Sequence, residues 1–185
     1  GENYENVSYE LLDQIDHQLF PGRNVERLSF PFPYNYPCDF NNSNDYVSTQ
    51  TNNHKRSDNL ILINPKMDKT EIINHLESSK AVGFKPYRTY SKTGDITNCK
   101  ITDFLPEHQI AIANEKGLII MMHLSKKDGV ADDENINDLI FRDKRYACVF
   151  QKHTKHTLFC VFVGLDFGLK HCVLTLLGEH SFLPD

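Results

Sequence analysis

The sequence lacks any apolar run that approaches the roughly 18 residues needed to cross a membrane as a helix. Its first twenty residues, GENYENVSYELLDQIDHQLF, are acidic and polar, whereas a secretory signal begins basic and continues apolar. Basic residues are also outnumbered, with 20 Lys and Arg against 25 Asp and Glu, and the formal net charge is −5. We therefore expect neither a membrane nor a nucleic acid as a partner.

Cysteine residues are few and irregularly spaced. The five cysteines are an odd number, no two of them form a Cys-x-x-Cys pair, and they stand at positions 38, 99, 148, 160 and 172. This spacing argues against a disulfide framework and against a zinc knuckle. It favours reduced thiols, and we expect a cytoplasmic location.

From about residue 25, short apolar segments alternate with segments of helical character. The segments VERLSFPFP (25–33), NLILINP (59–65) and LIIMMH (118–123) are typical of strands. Asp68 is a good helix N-cap between two of them, and the acidic start of ADDENINDLIFRDKRY is typical of another helix. Apolar strands separated by helices usually pair in parallel under the cover of those helices. The predicted class is α/β, as a doubly wound sheet or a barrel.

One apolar run ends on a histidine. Leu118 to Met122 are all apolar, His123 follows, and the polar sequence Ser-Lys-Lys-Asp-Gly comes directly after it. A neutral imidazole at a strand end is a good ligand for Zn²⁺ or a similar ion. The local pattern by itself favours a histidine that only forms a hydrogen bond where its strand ends.

Four motifs occur in a fixed order along the chain. They are Gly-Phe-Lys-Pro-Tyr (83–87), Phe-Leu-Pro-Glu (104–107), Gly-Leu-x-Ile-x-x-His-Leu (117–124) and Ala-Asp-x-x-Asn (131–135). This ordered set resembles the amidohydrolase-related, metal-dependent hydrolases of the TIM-barrel class, and the similarity spans about residues 24–146. It implies a (β/α) TIM-barrel-type fold with its chemistry at the carboxyl-terminal ends of the strands.

The resemblance also implies an activity and a site. The activity is hydrolysis, or non-oxidative decarboxylation, of a small carboxylate or cyclic substrate. His123 matches a ligand of the family's divalent metal ion, for which zinc is the expected element. Lys85, Tyr87 and Arg88 lie at the end of the preceding strand, where the two cations are expected to orient a substrate carboxylate. An alternative for Arg88 is a salt bridge at the surface. The aromatic loop PFPYNYPCDF is expected to wall a pocket or to pack on the rim.

The rest of the family's ligand set has no clear counterpart. Residues 16–18 read Asp-His-Gln in place of a first His-x-His pair, and His153 and His156 have lysine and threonine neighbours. The His-Cys pair in 169–172 comes too late after the preceding helix, so residues 147–185 are expected to diverge from the family.

An eight-unit barrel typically needs about 250 residues. The 185 residues here are expected to form one domain, an incomplete barrel of about five to six units.

Three functional hypotheses follow from these observations. The first is the metal-dependent hydrolase or decarboxylase. The second is a non-catalytic, degenerate relative that keeps the scaffold. Such a relative is expected to cover its open sheet edges with a second copy of the chain. The third, from another class, is a cysteine nucleophile at Cys99 activated by His123.

Overall fold

A computed structural model describes residues 7–35, 37–54, 57–124, 126, 132–142, 146–152 and 157–163, with only the backbone described from residue 139 onwards. Its helices are α1 (Tyr9–Leu19), α2 (Phe40–Asn52), α3 (Lys69–Ser79), α4 (Ile101–Phe104), α5 (Glu107–Lys116) and α6 (Asp133–Arg142), and a 3₁₀ helix covers Arg88–Tyr90. Its strands are β1 (Arg27–Ser29), β2 (Ser57–Ile63), β3 (Gly83–Pro86), β4 (Ile119–Ile120), β5 (Tyr146–Lys152) and β6 (Thr157–Val163).

The strands form one mixed sheet in the order β1-β2-β3-β4-β6-β5. The pairs from β1 to β4 are parallel, with Phe84 opposite both Ile61 and Ile120. The predicted parallel pairing of sequential strands is thus confirmed for these four. It does not continue, because β6 runs antiparallel to β4 and β5 runs antiparallel to β6. Only four residues separate β5 from β6, too few for the crossover that a parallel pair needs.

The hydrophobic core lies between the parallel strands and the helices that connect them. Alternate residues of each strand face it, so Ile61, Ile63, Phe84 and Ile120 are almost fully buried. Helices α3 and α5 close it from the other side, and their core-facing residues include Ile72, Leu76, Ile112 and Ala113. Burial of each large apolar side chain contributes roughly 1.5–3 kcal/mol, which makes this layer the main source of stability.

The helix ends follow the local signals in the sequence. The side chain of Asp68 accepts a hydrogen bond from the Glu71 N–H at 2.9 Å, as predicted for the start of α3. Lys80, at φ 53°, ends that helix in the left-handed region. Gly117 ends α5 in the same region at φ 64°, where glycine avoids the strain that Cβ brings.

Strand β1 is shorter than the predicted 25–33 segment. Pro31 and Pro33 carry no N–H and cannot continue its pairing with β2. Beyond Ser29, the buried amide of Asn44 on α2 takes the place of a neighbouring strand: it accepts from the Leu62 N–H at 2.7 Å and donates to the Leu62 carbonyl at 3.1 Å. A side chain therefore satisfies backbone groups that the strand leaves open.

Across the part of the chain that the structure describes, no helix is both long and apolar enough to pass through a membrane.

Candidate functional site

The carboxyl-terminal ends of β3 and β4 bring the predicted site residues together. Phe84 on β3 and Ile120, Met122 and Leu124 in the β4 segment point into the core. Because side chains alternate in extended backbone, the residues between them point to the opposite face. That face carries Lys85 from β3, Tyr87 directly after it, and Met121 and His123 from the β4 segment. We call this group, together with Arg88, the cationic mouth.

Lys85 is held at the centre of the cationic mouth. Its side chain is buried, with 3% exposed, and its ammonium group donates to the Met121 carbonyl at 3.2 Å. Nζ also lies 4.4 Å from the centroid of the Tyr87 ring and 5.2 Å from that of Phe30. Aromatic faces attract a cation, so the two rings help to hold the ammonium group in place. A positive charge desolvated in this way attracts an anion more strongly than one in water.

Tyr87 stays protonated in this setting. Burial raises the pKa of its phenol to about 12, because the phenolate would lose hydration. The group is therefore a hydrogen-bond donor across the physiological pH range. A neutral donor beside Lys85 suits an anion that needs a second hydrogen bond.

His123 lies three residues beyond the end of β4. The prediction that it is the last strand residue is wrong, since regular pairing stops at Ile120, although the Met121 N–H still donates to the Phe84 carbonyl at 3.0 Å. The residue as a whole is exposed. Partial burial of its ring, followed by the charges of Lys85 and Arg88, lowers the pKa of His123 below the ordinary 6.5. The imidazole is therefore neutral at pH 7.

The pKa of His123 reports the electrostatic effect of the nearby positive charges in the cationic mouth. We expect its midpoint below 6.5 in the protein, and we expect Lys85→Met to move it up towards that value, because one repelling charge is removed. The measurement is the pH dependence of the imidazole proton signals by NMR, assigned with His123→Gln. Lys69→Met is the control, since Lys69 is exposed and pairs with Glu115 at 2.8 Å. A midpoint that Lys85→Met leaves unchanged would contradict this placement.

The lowered pKa of His123 also makes the folding stability of the protein depend on pH. As pH falls through 6.5, the unfolded chain binds a proton at this histidine before the folded chain does. The contribution of His123 to folding stability is therefore largest above 6.5 and declines until pH falls below the folded-state pKa.

Arg88 has a buried partner. Its Nη1 lies 2.7 Å from Oδ2 of Asp132, and the two side chains are 8% and 1% exposed. Its Nη2 donates to the carbonyls of Thr97 at 2.7 Å and Cys99 at 3.4 Å. The salt bridge expected as the alternative role of Arg88 is present, but inside the protein. The guanidinium thus ties the loop after β3 to the start of α6, and its charge still reaches His123.

Sequence reasoning missed what Asp132 and Asn135 do. Asn135 donates to the Cys99 carbonyl at 2.9 Å and to Asp132 at 2.7 Å, and its oxygen accepts from the Ile101 N–H at 3.0 Å. The pair therefore links α6 to the start of α4 and orients the carboxylate that meets Arg88. An aspartate followed three residues later by asparagine at a helix start is the signal that marks such a cap.

Among the described residues, the charged groups that act on His123 are cations rather than metal ligands. Its charged neighbours are Lys85 and Arg88, which repel a metal ion, whereas a zinc centre is built from histidine, cysteine and carboxylate groups. In the described ranges, no three such side chains are grouped closely enough to hold a metal. A metal centre at His123 would need ligands from elsewhere in the chain. The other candidates, His153, His156 and residues 169–172, lie outside the described residues.

Cys99 and His123 occupy different environments. Cys99 is 3% exposed and belongs to the hydrophobic core, whereas His123 is exposed at the mouth. A nucleophilic thiol needs access to its substrate, so this placement does not favour the third hypothesis.

Comparison with protein-family models, with curated proteins and with solved structures finds no match for this chain.

Proposed function

We propose that this chain binds a small carboxylate at the cationic mouth and that it descends from the amidohydrolase-related hydrolases as a non-catalytic relative. The observation that carries the proposal is the position of the buried Lys85 ammonium group, which donates to the Met121 carbonyl at the carboxyl-terminal end of a parallel pair of strands. Lys85 supplies the charge, and Tyr87 supplies a neutral hydrogen bond. Cations that attract a carboxylate also repel a catalytic metal ion, which supports binding over hydrolysis.

The sheet order supports the ancestry. Four parallel strands that are adjacent in sequence order and joined through helices are also the repeating plan of a (β/α) barrel. Strand β6 pairs with β4 on the side where the next parallel strand of a barrel would lie. We propose an incomplete TIM-barrel-type scaffold in which β6 takes that place.

The test uses butyrate as the probe and follows its equilibrium binding by NMR. We expect saturable binding that weakens about tenfold or more in Lys85→Met, because a hydrogen bond to a charged group is lost. Lys69→Met is the matched control and should bind as the parent protein does. Equal binding by the parent and by Lys85→Met, or no binding by the parent, would refute the proposal.

A metal-dependent hydrolase or decarboxylase is the second candidate. The observation that favours it is the lowered pKa of His123, since the neutral imidazole is the form that binds zinc. Metal analysis of the purified protein separates the two candidates. Stoichiometric zinc that is lost in His123→Ala would favour the enzyme. A metal-free protein that still binds butyrate would favour the first proposal.

We also infer the cellular location of the chain. The thiols of Cys38 and Cys99 are free, which supports a reducing, cytoplasmic location.

Strand β1 is at one end of the described strand order, so its outer edge is a place for a second copy to pair.

A further inference from the structure

A groove with aromatic walls lies beside the cationic mouth. It has a volume of about 480 Å³ and runs between the loop after β1 and the helices α1 and α2. Its apolar walls include Phe30, Phe32, Tyr34, Tyr46, Val47 and Leu12. The volume is within the range of small-molecule sites, which is roughly 300–1,000 Å³.

The walls of the groove are fixed but still exposed. Phe32 and Tyr34 are 70% and 60% exposed, and their rings meet edge to face at 5.6 Å. The backbone of this loop is held where the Tyr90 hydroxyl donates to the Tyr34 carbonyl at 2.9 Å. On the opposite wall, the Tyr46 hydroxyl donates to the Val7 carbonyl at 3.1 Å. Anchored aromatic side chains that remain exposed form a surface ready to cover an apolar group.

Three of the polar residues that line the groove are bonded to one another. The Tyr9 hydroxyl lies 2.6 Å from the Ser29 hydroxyl, and the Gln50 side-chain oxygen accepts from the Tyr9 N–H at 3.0 Å. These three residues are engaged with one another, and the aromatic and aliphatic walls supply apolar contact for a ligand.

Phe30 belongs to the groove wall and also lies next to Lys85 of the cationic mouth. It lines the groove, and the Lys85 ammonium group lies 5.2 Å from its ring centroid. A ligand that crosses this ring has a desolvated positive charge at one end and apolar walls at the other. That combination matches a molecule with a single anionic head and an apolar tail.

We propose that the ligand is a monocarboxylate with an extended apolar tail, bound with its head at Lys85 and its tail along Phe30 in the groove. The charge at Lys85 selects the head, and the continuity through Phe30 determines where the tail lies. This inference rests on the proposed carboxylate site and names the class of ligand that the site takes.

The experiment compares straight-chain carboxylates from acetate to octanoate by calorimetry. Each methylene that enters the groove should tighten binding about two- to fourfold until the groove is full. Phe32→Ser should flatten this dependence on chain length, and Val47→Phe should shorten the chain at which it stops. Ile96→Ser is the matched control, since Ile96 is 57% exposed and does not line the groove. Melting curves establish that each variant is folded.

The outcomes separate this inference from the proposed function. If short and long carboxylates bind equally well, the tail site is refuted and the carboxylate site stands. If no carboxylate binds, both are refuted. If octanol binds as tightly as octanoate and Lys85→Met changes neither, the groove serves an uncharged apolar partner, and the inference is overturned.

Discussion

Asp132→Asn is expected to lower the free energy of unfolding by about 3–5 kcal/mol, because it leaves the buried charge of Arg88 without its carboxylate. The substitution keeps the size of the side chain, so no cavity contributes. It also weakens the hydrogen bond from Asn135 to Asp132, and hence the link between α6 and α4. The measurement is urea unfolding followed by circular dichroism.

Two comparisons show whether the buried charge is the cause. The double variant Arg88→Met/Asp132→Leu removes both charges and should be more stable than Asp132→Asn alone. Glu115→Gln removes one partner of the exposed pair with Lys69 and should produce no measurable change. A loss in Asp132→Asn that is no larger than the change in Glu115→Gln would show that the pair with Arg88 does not stabilise the protein.

Gly83→Ala is expected to destabilise the protein by about 3 kcal/mol and to weaken carboxylate binding as well. A Cβ at this position would lie 1.9 Å from the carbonyl oxygen of Ile119 on β4, so the two strands must separate. Forced separation of packed elements typically costs about 1–3 kcal/mol and at times more. It would also move His123 away from Lys85, which is why binding should weaken.

Gly94→Ala is the matched control for this prediction. Gly94 has φ +74°, and a Cβ added there would have no atom within 4 Å, so only the backbone strain of about 1–2 kcal/mol is expected. Unfolding curves and butyrate titrations on both variants provide the comparison. Equal losses of stability in the two variants would mean that β3 and β4 do not approach as closely as described.

The elements that could be predicted are those whose apolar residues follow a regular spacing in the sequence. The buried face of β2 and the cap at Asp68 were visible in the sequence and are confirmed. Helix α2 has no such spacing of apolar residues, because its buried residues are the polar Asn44, Ser48 and Thr51. Asn44 bonds to Leu62 and Thr51 bonds to Tyr9, which are 18 and 42 residues away along the chain, so local periodicity does not predict these contacts.

The pairing direction of the last strands was not predictable in the same way. The sequence of β5 and β6 is apolar enough for a strand of either direction, and nearly all of it lies in residues 147–185, which were expected to diverge from the family. What decides the direction is the four-residue connection between the two strands. A helix-length segment there would have allowed a parallel crossover.

The sequence pointed to the chain segments that carry the candidate site but not to the contacts within it. Strand alternation puts Lys85, Tyr87 and His123 on one face. The sequence did not reveal that the Phe30 ring lies beside the Lys85 ammonium group, or that Asp132 pairs with Arg88 inside the protein. Both contacts join segments that are distant along the chain, and no local motif encodes them.

The most direct measurement is a crystal structure of the protein soaked in para-bromobenzoate, in which the bromine marks the ligand by anomalous scattering. We expect the carboxylate on the Lys85 ammonium group, with the bromine directed towards Phe30 and the aromatic groove. Bromine density that appears only near exposed basic side chains such as Lys69, with none beside Lys85, would contradict a carboxylate site at the ends of these strands.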